Sequence, residues 1–241
     1  MQRFNLLLVL AVLSFPVFAN TETLVPHTAT YKIKISIASG TLTTDVRRTA
    51  DGFEANSVIE PTGLANILMG GNIEETSQFV VDDEGVKPMV YSSNDTLSRG
   101  DKFMDFAFDW QAREVSGTVN EETYSYPLDQ EVHDRVSIQY QLMHNLVTGA
   151  VGEEYAMLDD DEMKQISVRR IGNKTIKVPM GSFEAVGIQH QAAGSKRITT
   201  LWCAEELGYL PVLIEQSRKG KVNVRAQLTN YESFDTVAAA P

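Results

Sequence analysis

Few residues in this chain stand where a reaction would need them. Acyl transfer needs a nucleophile, a base and an oxyanion hole held in register, and the elbow motif G-x-S-x-G is absent. Gly181-Ser182-Phe183 precedes a strand pattern, not a helix. Cys203, the single cysteine, sits beside Trp202 without a local histidine and reads as a small buried apolar residue. His27, His133, His144 and His190 are far apart, and none belongs to a paired ligand motif such as H-x-x-x-H. The acidic run Asp159, Asp160, Asp161, Glu162 lacks the central glycine and later glutamate of an EF-hand loop, so it reads as a solvated hairpin turn. Glu205-Glu206 reads as a soluble turn. No catalytic residue, no metal ligand and no cofactor is expected, and the chain reads as a non-enzyme.

Chemistry of contact remains. Asp134 is placed to cap a helix through its carboxylate. Arg135, beside it, is expected to pair with Glu131 or a strand carboxylate, with a ligand contact as the alternative. Tyr140 and Met143 share the apolar stripe of that helix, and Trp202 is one of two tryptophans. Arg135, Tyr140, Met143 and Trp202 are therefore the candidate ligand-binding residues. Arg169-Arg170 and Lys196-Arg197 are adjacent pairs in strand patterns, so each pair presents one cation to a given face.

The elements that must position these residues are mostly strands. Tyr31, Ile33, Ile35 and Ile37 alternate with polar residues, a period of two with one buried face. Ser39-Gly40 reads as a turn and Asp51-Gly52 as a two-residue hairpin. Strand patterns recur over 76–81, 86–93, 102–109, 113–119 and 123–126, with turn signals every eight to twelve residues, as in an all-β roll or barrel. Two segments break the pattern. Residues 62–69 read as one or two helical turns with Leu64, Ile67 and Leu68 on one side. Residues 134–148 read as an amphipathic helix, with Val136, Tyr140, Met143 and Val147 in a stripe widened by Leu142 and Leu146 and with Gly149 as the stop. Strands resume at 155–158, 162–171, 175–178 and 183–191. Residues 196–216 form a central hairpin, and 222–234 close the chain. The fold expected is mainly β: an antiparallel β-roll or open barrel-like sheet with one helix and one helical turn. A single roll over 20–235 is preferred to two sheets, with 236–241 a tail.

The first residues carry an address. Arg3 precedes an apolar run ended by Pro16, and Val17 and Ala19 suit the minus-three and minus-one positions of a signal-peptidase site. The run is shorter than the roughly 20 apolar residues a span requires, so export to the periplasm with cleavage after Ala19 is expected. The net charge of −11 argues against nucleic acid or an anionic membrane as partner. One cysteine permits no internal disulfide, so stability must come from a core and a backbone ladder.

HDRVSIQYQL, VPMGSFEAVGI, TTLWCAEELGYLPVLIEQ and RAQLTNYE, with the export segment, resemble the exported bacterial proteins of domain-of-unknown-function family 3108. The resemblance runs from about Ala29 to Phe234. It implies a mainly antiparallel β-roll in the periplasm and no assigned activity. The reading that results is a non-catalytic binding module for an apolar or lipid-like ligand. The alternatives are a protein-interaction module of the envelope that uses an open sheet edge, and an envelope-polymer hydrolase for which no constellation exists.

Overall fold

The computed structural model describes residues 24–36, 38–98 and 100–234, without the side chains of 64, 68 and 69. Its first half is a meander of eight strands. These are β1 (His27–Ile35), β2 (Ala38–Thr49), β3 (Gly52–Thr62), β4 (Ile73–Asp82), β5 (Gly85–Asp95), β6 (Lys102–Asp109), β7 (Glu114–Val119) and β8 (Glu122–Pro127). A two-residue strand, β9 (Val132–His133), leads into helix α2 (Ser137–Thr148). A second meander follows: β10 (Glu154–Asp159), β11 (Glu162–Val178), β12 (Gly181–Ala192), β13 (Arg197–Ala204), β14 (Leu210–Arg218) and β15 (Lys221–Ser233). β1 pairs antiparallel with β15, which joins the two meanders into one fifteen-stranded sheet. All pairings are antiparallel except β9 with β10. β8 and β9 are the two ends, and the sheet does not close. The mainly antiparallel, open barrel-like architecture expected from the strand pattern is the one observed.

The pleat decides which face is concave. Directly paired residues share a face, so the register links His27, Val46, Ala55, Ser77, Tyr91 and Phe106 into one row across β1 to β6. All six are buried. Tyr31 and Ile33 lie on the same face and are buried, while Lys32 and Lys34 point outward. Burying each large side chain contributes about 1.5–3 kcal/mol. A fold without disulfides depends on many such burials.

Helix α2 lies in the concavity. Asp134 Oδ1 accepts the backbone N–H groups of Val136 and Ser137, both at 2.8 Å, and the Asp134 N–H donates to Ser137 Oγ at 2.9 Å. The expected cap is therefore made, reciprocally, and Gly149 ends the helix in the left-handed region at φ 74°. Val136, Tyr140 and Met143 join the cluster of Phe53, Phe79 and Tyr91 from the first meander. Leu142 and Leu146 pack with Ile188, Leu201 and Cys203 from the second. Two buried sides leave only the C-terminal strip outside, so Val147 is exposed, contrary to its place in the expected stripe.

Other departures have local causes. Gly40 is not a turn residue: the chain reverses at Ser36, and Gly40 lies inside β2, where a Cβ would stand 2.7 Å from the Glu60 carbonyl oxygen. Ile35 is exposed, and Ile37 lies outside the described residues. The stretches 162–171 and 175–178 form the single strand β11, bent by a bulge between Arg170 and Gly172. The helical turn is α1 (Leu64–Met69), with Ile67 almost fully exposed instead of facing inward. Residues 1–19 and 236–241 fall outside the described residues.

Candidate binding cleft beside the helix

The four candidate residues do not form one site. Arg135 is half-buried at the start of α2 and ties several elements together. Its Nε donates to Glu75 Oε1 at 2.7 Å and to Tyr91 Oη at 3.1 Å, and Nη2 donates to Ser93 Oγ at 3.3 Å. Nη1 reaches Asp160 at 3.2 Å and Asp159 at 3.5 Å. Glu75 is the strand carboxylate that sequence reasoning allowed for; Glu131 is not a partner. Burial pulls the Arg135 pKa down, and Glu75, Tyr91 and Asp159 more than offset this, holding it above its ordinary value. Lys102 and Lys164 add ion pairs to Asp160 and Asp159, at 3.0 and 2.7 Å, and Tyr126 Oη donates to the Asp161 carbonyl. The acidic run is thus a latch. It pins the β10–β11 turn across β5, β6 and β8, so the two ends of the open sheet overlap.

Trp202 belongs to the same contiguous buried cluster as Tyr140 and Met143, but it enters from the other side of its strand. Leu201 and Cys203 pack with Leu142 and Leu146 of the helix, and successive strand residues alternate faces. The indole accordingly lies over Gly187, where an added Cβ would stand 2.7 Å from the ring. The Lys174 ammonium covers it at 3.9 Å from the ring centroid. Tyr140 stacks on Phe79 at 5.3 Å between centroids and is a core residue.

Met143 lines a cleft. It borders a space of about 230 Å³ with Leu24, Val25, His27, Leu207 and Tyr231, and Glu206 and Ser233 stand among its walls. β1 and β15 bring His27 and Tyr231 together, 5.4 Å between ring centroids. The turn after β13, a single 3-10 turn Glu205–Leu207, supplies Leu207 and Glu206. His27 is an isolated histidine in the sequence, and no signal there distinguishes it. In the fold it is 2% exposed. Its Nδ1–H donates to the Val25 carbonyl at 2.8 Å, which leaves Nε2 as a bare acceptor with no hydrogen-bond partner among the described residues. Burial holds its pKa below the usual histidine value, partly offset by the Val25 bond and by Asp45, so the ring is neutral at pH 7. The hydroxyls of Thr44 and Tyr31 are also buried without partners. Register places both on the His27 face, Thr44 opposite Ala29 and Tyr31 two residues beyond. An unpartnered polar stripe therefore runs inward from the cleft. The arrangement sets a buried, unpartnered hydrogen-bond acceptor beside an apolar opening; among the described residues it holds no nucleophile–base pair. Cys203 is fully buried, and burial pushes its thiol up to about 12.

Fold and register define an antiparallel, open β-barrel-like protein with a helix inside its roll. The chain belongs to the family described as protein of unknown function DUF3108, whose profile matches residues 27–228. No curated protein matches it. Among solved structures it is similar to a β-barrel-like protein of domain of unknown function DUF1849 from Brucella abortus. The TM-score is 0.59 and the identity 10%, over 88% of this chain and 99% of that one. It is also similar, more remotely, to a protein from Bacteroides fragilis described as exported and of YmcC-like fold. There the TM-score is 0.33 and the identity 11%, over 87% and 96% of the two chains. At these identities the first likeness shows the fold, and the second carries no argument. Among the described residues no helix is long and apolar enough to cross a membrane.

Proposed function

We propose that this chain is an exported, non-catalytic binding module of the periplasm that grips the end of an apolar chain. The supporting observation is the cleft at Met143, with His27 in its wall and the Nε2 of that ring buried without a partner. Size sets the ligand class. A pocket for a whole drug-sized molecule occupies roughly 300–1,000 Å³, and about 230 Å³ admits only a chain end. Polarity narrows it further: His27 accepts a hydrogen bond, and Glu206 at the wall repels an anion. The ligand is therefore an apolar chain carrying a neutral O–H or N–H donor. The partner-strand alternative finds less support, because β8, one edge of the sheet, is short and ends at Pro127, and β9, the other edge, has two residues, features that discourage strand addition.

Binding of octanamide, an eight-carbon chain with an amide donor, tests this. Wild type is expected to bind it, and Leu207→Trp, which fills the cleft from its rim, is expected to bind about tenfold more weakly with an unchanged urea midpoint. Equal binding by both proteins, or none by wild type, would reject the proposal.

A further inference from the structure

A second cleft, on the opposite side of α2, has a different character. β9 is two residues long, yet its His133 is 1% exposed, and neither ring nitrogen has a hydrogen-bond partner among the described residues. Burial lowers the His133 pKa to about 4. The ring is thus neutral at pH 7 and carries one N–H and one lone pair, both unused. It lines a space of about 430 Å³ together with Glu84, Glu131, Glu154, Gln141 and Tyr155.

The floor of this cleft is wired in one direction. Gln141 Oε1 accepts the Val86 N–H at 2.6 Å, and its Nε2 donates to Asn145 Oδ1 at 3.0 Å. Asn145 Nδ2 donates to Tyr155 Oη at 2.8 Å, and the Gly152 N–H donates to the same oxygen at 2.8 Å. Tyr155 Oη therefore accepts twice, and its own proton is free to donate. Of the rim carboxylates, Glu84 pairs with Lys87 at 2.7 Å, a cation it shares with Asp82 at 3.0 Å. Glu131 and Glu154 are exposed and have no cationic partner among the described residues. These groups do not assemble into a metal site: among the described residues no three His, Cys, Asp or Glu side chains do so.

We propose that this cleft binds a small organic cation with N–H donors, an ammonium or guanidinium group, whose charge is met by Glu131 and Glu154 and one of whose N–H groups donates to the free nitrogen of His133. The acidic rim selects the charge, and the lone pair of the neutral imidazole accepts an N–H of the bound group. Gln130 and Glu131 are exposed rim side chains that can swing aside to admit the group. The site is separate from the octanamide cleft and does not depend on it.

Calorimetric titration of the full mature chain at low ionic strength tests the proposal. The probes are methylguanidinium and butylammonium, with methylurea as the neutral control. A Gly-Arg-Gly amide peptide reports whether the cation is accepted when carried on a chain. Wild type is expected to bind at least one cation and to ignore methylurea. Glu131→Gln with Glu154→Gln should weaken binding about tenfold, as should His133→Phe, the loss expected for a hydrogen bond to a charged group. The glutamates are exposed, so the double variant keeps its fold and decides the matter even if His133→Phe does not fold. Binding of free cations but not of the peptide assigns the site to a free amine; binding of both assigns it to a chain-borne side chain as well. No heat with any cation, equal affinity in the double variant, or equal affinity for methylurea would overturn it, and the cleft would then hold only water.

Discussion

Removing Arg135 should open the roll at its overlap. Arg135→Met keeps the length of the stem and removes the charge. It leaves Glu75, whose side chain is 15% exposed, without its cation, and strips Tyr91 Oη and Ser93 Oγ of a donor. It also leaves the paired acids Asp159 and Asp160 facing each other with only Lys164 and Lys102. Breaking a fully buried ion pair from one side costs about 3–5 kcal/mol, and Arg135 is 27% exposed. The expected loss is therefore about 2–4 kcal/mol, a large part of a domain's marginal stability. Urea unfolding gives the number, and Arg113→Met is the control. The Arg113–Asp129 pair is mostly exposed, so its loss should cost at most about 1 kcal/mol. A double-mutant cycle with Glu75→Gln should return a coupling of roughly 1–3 kcal/mol. Equal midpoints for Arg135→Met and Arg113→Met, or a coupling near zero, would refute the latch.

Acidification should destabilise the fold between about pH 6.5 and pH 4. Burial lowers His133 to about 4 in the folded chain, against about 6.5 in the unfolded one, so the unfolded state binds more protons in this window and stability falls as the pH falls. The difference is worth roughly 3 kcal/mol; His27 acts with the same sign, and buried Asp134, whose pKa is raised, with the opposite one. A urea midpoint that does not move from pH 7 to pH 4.5 would contradict this. Cys203 should react with a thiol reagent about a hundredfold or more slowly in the native protein than in urea, since burial suppresses its thiolate; equal rates would place it elsewhere. Met143→Ala should cost about 2 kcal/mol, the low end for a core methionine, because its site borders open space. A cost near 5 kcal/mol would mean a closed core there.

Local patterns were readable in the sequence, and distant pairings were not. The strand at 102–109 and the stripe of Val136, Tyr140 and Met143 were legible, because alternation and helical spacing are set by neighbours in the chain. The β1–β15 pairing joins residues some 200 positions apart and leaves no local trace. β9 is too short to show a period. Gly40 looks like a turn glycine because close backbone approach and a reversal call for the same residue. Arg135 and Met143 were legible as contact residues; the face of its strand that Trp202 occupies was not, because strand parity depends on a register that sequence does not supply. His27 and His133 escaped for a stronger reason. What makes each notable is burial without a partner, and an isolated histidine carries no sign of either.

The most direct test of the proposed cleft is the nitrogen spectrum of His27. With [¹⁵N]-histidine incorporated, the unprotonated Nε2 reports whether a donor has reached it. Addition of octanamide should shift the Nε2 resonance of His27 in the direction of hydrogen-bond acceptance, leave Nδ1 on Val25 unchanged, and leave His133 untouched. If octanamide binds while His27 Nε2 stays where it was, the ligand sits elsewhere and the cleft is not the site.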